Sequence, residues 1–342
     1  MSLKNLNVKN KIPKLLKNYL YNQKINKIYK RFEKSLGISE NFSVAVSGGP
    51  DSLALAFLAK IYSIKNNLKA KFLIINHRLR PESNKEAKNV QKVLKKLKIN
   101  SKILNWYGKK PLKNIQSQAR KKRYELLFAE SEKFQIKNIL LAHHQDDLFE
   151  NFFIRILRGS GLKGLISLDK KSKINRNVLL RPLINQKKED LIYIANYVFS
   201  FYVTDPSNEN EKYQRIAIRN LIKELQKKGL NKKKFSNTIK NLKSSNDVIN
   251  FYTSQNLKKN TFFFKKQEKL TLNNKYFEQP YEVVFRSLSE SIKLIGQKYY
   301  PVRGKKLDKI ISNIQNNQLS KQTVGGCIIQ KVNQTIIISK ED

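Results

Sequence analysis

The chain has 342 residues, enough for two or three domains at roughly 100–200 residues each. Lys and Arg total 69 against 26 Asp and Glu, a net charge of +43 that favours a polyanionic partner such as a nucleic acid. The single cysteine, Cys327, excludes an internal disulfide, a Cys-only metal or iron–sulfur site within one chain, and two-cysteine sulfur-relay chemistry. An AT-rich genome raises Lys together with Asn and Ile, yet it leaves the scarcity of acidic residues unexplained. No run approaches 18 apolar residues and no apolar stretch follows the basic N-terminus. Neither a membrane span nor a secretory signal is expected, and a cytoplasmic location is.

Residues 1–40 are helical in period, with Leu15, Leu16, Tyr19, Leu20, Ile25 and Ile28 as the apolar positions. Alternation follows. Strands are expected at 41–47, 71–76, 101–106 and 137–143, and helices at 52–65, 84–98, 114–134 and 146–158. Strands spaced by helices form β-α-β units with right-handed crossovers, hence a doubly wound, mostly parallel α/β sheet. Beyond Gly164 the pattern changes, and Arg181-Pro182 and Asp205-Pro206 act as breakers. Helices are expected at 187–200, 214–228, 232–252, 281–295 and 305–314, with a terminal hairpin of 323–330 and 334–339 joined by Val332-Asn333. The expected organisation is a helical extension over 1–40, an α/β catalytic domain over 41–210, a helical domain over 211–275 and a small α+β domain over 276–342. Residues 256–270 read as neither helix nor strand. Phe262, Phe263 and Phe264 are assigned to a core, because three adjacent phenylalanines are hard to leave exposed.

Ser47-Gly48-Gly49-Pro50-Asp51-Ser52 lies between the first strand and its helix. Glycines let a backbone approach a phosphate, the helix N-terminus favours the anion, and Ser47 and Ser52 add hydroxyl donors. Asp51 suits such a site when Mg²⁺ lies between it and the phosphates. The turn lacks the Gly-Lys-Ser/Thr ending of a Walker loop. A plain turn with Asp51 or Ser52 as N-cap is the simpler reading. The density of small and polar residues at the carboxyl end of a first strand favours phosphate. Gly159-Ser160-Gly161-Leu162-Lys163-Gly164 fits G-x-G-x-x-G but follows a helix, so it is no dinucleotide site.

Ser-Gly-Gly-x-Asp-Ser resembles the signature of the N-type ATP pyrophosphatases, the PP-loop superfamily, which cleave ATP to AMP and pyrophosphate. Further blocks are similar to those of the tRNA(Ile)-lysidine synthetases. They are Asn76-His77-Arg78-Leu79-Arg80-Pro81-Glu82-Ser83, Gln118-Ala119-Arg120 with Arg123-Tyr124, and His143-His144-Gln145-Asp146-Asp147-Leu148-Phe149-Glu150. After them come Arg158 to Leu165, Arg181-Pro182-Leu183, Asp205-Pro206-Ser207-Asn208, Arg215 and Arg219-Asn220. The match runs in order from about Phe42 to Arg219. The tail residues Tyr300 to Lys306 and Gly325-Gly326-Cys327 add a weaker likeness. Two departures stand out. Asn76 replaces an expected Asp, and the C-terminal part is shorter than in larger members, so an accessory tRNA-binding domain is expected to be reduced.

The resemblance implies a two-step ligation on a tRNA(Ile) with a CAU anticodon. The wobble cytidine C2 oxygen attacks the α-phosphate of ATP and releases pyrophosphate. The ε-amine of L-lysine then attacks C2 and displaces AMP. Carried over by position, Ser47, Gly48, Gly49, Pro50 and Ser52 hold pyrophosphate, Asp51 holds Mg²⁺, and Asn76 and His77 border the adenine. Asp147 and Glu150, three apart on a helix, share a face that suits the amino groups of lysine. Arg215 or Arg219 takes the lysine carboxylate or a phosphate. Asp51, His143, Asp147 and Arg215 are the expected catalytic residues, with the choice between His143 and His144 left open, as is a homodimer. A tRNA thiolase on the same fold is disfavoured by the lone cysteine. A catalytically silent RNA-binding protein is disfavoured by the intact turn.

Overall fold

The computed structural model describes residues 12–108, 115–204, 214–297 and 302–341. The N-terminal helices are α1 (Lys14–Leu20) and α2 (Gln23–Leu36). Asn22 caps α2 by accepting from the Ile25 amide at 3.1 Å, and Gly37 ends it in the left-handed region at φ 52°. Ile25, Ile28, Tyr29, Phe32 and Leu36 are buried, one stripe at helical spacing. That stripe belongs to the main core, so residues from Leu16 onward are part of the α/β body rather than an extension. Each such side chain contributes about 1.5–3 kcal/mol by leaving water.

Next come β1 (Phe42–Val46), α3 (Pro50–Lys65), β2 (Ala70–Asn76), α4 (Ser83–Lys96), β3 (Ser101–Asn105), α5 (Ile115–Glu132), β4 (Asn138–Leu140), α6 (Gln145–Ile156) and α7 (Leu162–Leu165). Then follow β5 (Lys171–Ile174), β6 (Asn177–Leu180), α8 (Lys188–Phe199) and α9 (Gln214–Lys227). The sheet order is β3-β2-β1-β4-β6-β5. All pairs are parallel except β5–β6. The chain winds outward from β1 through β2 to β3, then restarts on the other side of β1 with β4. The switch point therefore lies at the carboxyl ends of β1 and β4, where open α/β sheets bind ligands. α3 buries eleven of its sixteen residues on all sides, as its continuous apolar sequence requires.

β4 is shorter than expected. The Leu141 amide still bonds the Leu180 carbonyl at 2.8 Å, after which the chain leaves the ladder to enter α6. The β5–β6 hairpin is absent from the sequence expectation. Its strands have four residues each, and Asn175, at φ 51°, makes the turn that their weak alternation does not announce.

Residues up to Leu230 form one compact unit and those from Asn231 a second. The division falls later than residue 210 because α9 packs against α6. The second unit holds α10 (Lys232–Asn260), β7 (Thr261–Phe264), β8 (Lys269–Leu272), α11 (Tyr281–Gly296), α12 (Gly304–Gln315), β9 (Lys321–Val324), β10 (Cys327–Val332) and β11 (Thr335–Lys340). Its antiparallel sheet, β7-β8-β11-β10-β9, joins residues expected in two domains. Gly325 and Gly326, both at positive φ, break the expected first hairpin strand into β9 and β10. β7 is an edge strand, and Phe262, Phe263 and Phe264 are 63%, 43% and 43% exposed rather than buried. Residues 205–208 and 300–301, named in the resemblance, lie outside the described residues. Among the described residues, no helix is long and apolar enough to cross a membrane.

Candidate active site

At the switch point a cleft of about 350 Å³ is lined by Ser47, Gly49, Asp51, Ser52, Asn76, His77 and His143, among others. The turn after β1 is organised by one hydroxyl. Ser52 Oγ accepts from the Ser47 and Gly48 amides, both at 3.1 Å, and donates to the Gly49 carbonyl at 2.9 Å. Gly48 sits at φ 89°, and a Cβ there would meet Val90 Cγ2 at 2.6 Å and Val203 Cγ2 at 3.0 Å. Glycine is thus required both by conformation and by space. Gly49 caps α3, and Pro50, as its first residue, needs no hydrogen-bond partner for its nitrogen. Asp51 and Ser52 follow in the first turn, at the positive end of the helix dipole.

Asp51 Oδ1 is buried without a hydrogen-bond partner. A carboxylate oxygen so placed is costly alone and fits a divalent cation, for which carboxylate oxygen is an ordinary ligand. Its other oxygen, Oδ2, lies 3.6 Å from His144 Nε2, which is also 3.6 Å from Asp147 Oδ2. His144 therefore bridges the phosphate turn and α6. It also caps α6: its Nδ1 accepts from the Asp146 amide at 3.2 Å, and its own amide donates to Asp147 Oδ2 at 2.9 Å. With Nδ1 accepting, the neutral ring carries its proton on Nε2, facing both carboxylates. Burial opposes further protonation, but the Asp51, Asp147 and Asp146 carboxylates outweigh it and hold the pKa above the ordinary imidazole value. Burial acts against ionisation of Asp147 too, and His144, through its ring and its backbone amide, prevails and keeps the carboxyl below the ordinary range.

His143 behaves oppositely. Burial lowers its pKa to about 3, and the Arg181, Arg120 and Arg215 charges add to the effect against Asp147. It lines the cleft as a neutral ring whose Nδ1 is buried without a partner. His144, left undecided by the sequence, is thus the bridge, and His143 is the ring facing the cleft.

Two other expected residues, Glu150 and Arg219, are placed differently from their assignment. Glu150 and Arg219 are joined to each other, with Arg219 Nε 2.5 Å from Oε1 and Nη2 3.4 Å from Oε2. Glu150 is only 3% exposed, so this pair braces α6 against α9 and its carboxylate does not stand open beside that of Asp147. Burial raises the Glu150 pKa despite Arg219. Arg215, on the first turn of α9, is exposed, and its charge acts on Asp147 and His143. Asn76 is buried at the end of β2. Its Nδ2 donates to Asn84 Oδ1 at 2.7 Å and Asn105 Oδ1 at 2.9 Å, while its Oδ1 accepts from the Arg78 amide at 3.0 Å. An amide fills that three-way junction as a donor, where a carboxylate could only accept. His77 lines the cleft, with its pKa lowered to about 4 by burial and the Arg123 charge. Arg123 and Arg80 also line the cleft; both stand in the blocks quoted above without having been given a role.

A model of the PP-loop domain matches residues 18–225. The chain is 34% identical over 302 residues to a tRNA(Ile)-lysidine synthase of Wolbachia sp. subsp. Brugia malayi, covering 87% of this chain and 70% of the relative. It is 35% identical over 312 residues to the tRNA(Ile)-lysidine synthase of Orientia tsutsugamushi, covering 87% and 69%. Among solved structures, a U34-tRNA thiolase from Methanococcus maripaludis, solved with its 4Fe-4S cluster, superposes with a TM-score of 0.56 at 17% identity over 65% of this chain and 78% of that one, a likeness of fold. A PP-loop turn at the switch point, an ATP-binding domain around it and relatives matched over most of both chains lead to one assignment: the chain belongs to the tRNA(Ile)-lysidine synthase family.

Proposed function

We propose that the chain joins L-lysine to C2 of the wobble cytidine of a tRNA(Ile) with a CAU anticodon, a carbon–nitrogen ligation driven by ATP in the cytoplasm. The observation that carries this reading is the orphaned Asp51 Oδ1 in the phosphate turn, tied through His144 to Asp147. Ser47, Gly48, Gly49, Pro50 and Ser52 hold the pyrophosphate part of ATP, and Asn76 and His77 border its adenine. Asp51 is the ligand for Mg²⁺, which when bound neutralises phosphate charge. The arginines around His143 stabilise charge developing on the phosphate under attack.

Asp147 receives the lysine ammonium, and Glu150, held by Arg219, keeps α6 and α9 in register for it. Arg215 takes the lysine carboxylate or a phosphate. Before attack the ε-amine, with an ordinary pKa of about 10.4, gives up a proton. The lone pair of His143 Nδ1 is the acceptor in the cleft. Burial and the surrounding arginines oppose protonation in the free chain, and the phosphate of the adenylated cytidine offsets the arginine charge at this step. The lysines of residues 231–275, with the exposed Tyr252 and Phe262 to Phe264 among them, supply a second, RNA-facing surface.

The test is incubation with ATP, L-lysine and unmodified CAU tRNA(Ile), followed by mass analysis of the wobble nucleoside. A cytidine heavier by one lysine less one water supports the reading. Competent tRNA recovered unchanged refutes it.

A further inference from the structure

A second cavity, of about 410 Å³, adjoins the ATP cleft. His77, Leu79 and Arg80 line both. The cavity opens where β2 and β3 end, and its chemistry is set by Arg78, Arg80, Trp106 and Tyr107. Nothing in the ATP-dependent chemistry above uses these four side chains to bind a second group.

The cavity is held by Asn76. The asparagine side chain accepts from the Arg78 amide, and its carbonyl accepts from the Trp106 amide at 2.9 Å. Arg78 is thereby kept in the left-handed region at φ 53°, a conformation that a non-glycine residue adopts at a cost. The result places its guanidinium 5.2 Å from the centre of the Tyr107 ring. Tyr107 is 71% exposed. Trp106 meets the His77 ring edge-on at 6.1 Å, and both His77 nitrogens are buried without a partner. Arg80 shares its charge with Glu86 at 3.0 Å.

Aromatic faces beside a guanidinium suit a planar base attached to a phosphate, the combination that single-strand RNA sites use. The same cations repel the ammonium of lysine. Because the two cavities share His77, Leu79 and Arg80, this one is within reach of nucleotides that neighbour the reacting base in a splayed loop. We propose that this cavity takes the base of a nucleotide adjoining the one that reacts, stacked on Tyr107 and Trp106 with its phosphate on Arg78. This inference rests on the reading that the substrate is a tRNA loop.

Trp106 is the only tryptophan of the chain and lines this cavity, so its emission reports on occupancy there. The experiment titrates the protein with an anticodon stem-loop RNA carrying CAU, following Trp106 emission and, in parallel, anisotropy of the labelled RNA. Quenching of Trp106 that tracks RNA binding is expected. Tyr107→Ala and Arg78→Ala should each weaken the RNA by roughly tenfold, equivalent to about 1.4 kcal/mol, and leave ATP affinity unchanged. Tyr107→Phe keeps the ring and should keep the affinity, which separates stacking from a folding defect. A stem-loop that leaves Trp106 emission unchanged overturns the inference, whether or not it binds elsewhere. Quenching by ATP alone that RNA does not alter also overturns it, by assigning the cavity to ATP. Quenching by RNA without any lysine transfer leaves this inference standing and removes the proposed function instead.

Discussion

Gly48→Ala tests whether the phosphate turn is built as described. At most exposed sites this exchange is mildly stabilising, by about 0.4–1 kcal/mol, because it restricts the unfolded chain. Here the sign reverses. The new methyl lies 2.6 Å from Val90 Cγ2 and 3.0 Å from Val203 Cγ2, well inside the carbon–carbon optimum of about 3.5–4.0 Å. Val90 is 1% exposed on α4 and has no solvent to turn toward. Overpacking costs about 1–3 kcal/mol, and holding alanine at φ 89° adds about 1–2 kcal/mol. The sum is a loss of about 2–5 kcal/mol, read from urea unfolding followed by Trp106 emission. A double-mutant cycle with Val90→Ala should recover the Val90 part of the clash and leave the Val203 contact and the conformational part. A Gly48→Ala protein as stable as the parent refutes the geometry.

Asp51→Ala should lower pyrophosphate release by roughly 100-fold or more while tRNA affinity stays nearly intact; parallel losses in both would contradict a metal-ligand role. Arg219→Ala leaves the Glu150 carboxylate buried and unpaired, at a cost of about 3–5 kcal/mol in unfolding, most of which Glu150→Gln in the same chain should recover. His77 and His143 have folded-state values of about 4 and about 3, below the ordinary 6.5. The unfolded chain therefore binds more protons between these limits. The stability these two groups contribute is present above pH 6.5 and lost as pH falls through that range. His77→Gln and His143→Gln should each flatten the acid limb of the stability profile, and a limb unchanged in both contradicts their burial as neutral rings.

The catalytic sheet was legible because strongly periodic apolar runs alternate with amphipathic ones, and because Ser47 to Ser52 concentrate small and polar residues after a strand. Side-chain partnerships were not legible. Spacing puts Asp147 and Glu150 on one face of α6, but only the packing of α9 delivers Arg219 to Glu150 and leaves Asp147 to His144. Adjacent histidines look equivalent in a sequence, whereas one caps a helix and the other faces the cleft. The Phe262 to Phe264 run was misjudged by composition, since its burial depends on whether β7 lies at the edge or the centre of its sheet. The Asn76 junction needs Asn84 and Asn105 from two other elements, and no local signal joins the three.

The most direct measurement is a crystal structure with a non-hydrolysable ATP analogue and Mg²⁺. Phosphate oxygens should be seated in the turn from Ser47 to Ser52, with a magnesium ion about 2.0–2.1 Å from Asp51 Oδ1. Phosphates bound elsewhere, or a metal held without Asp51, would contradict this placement.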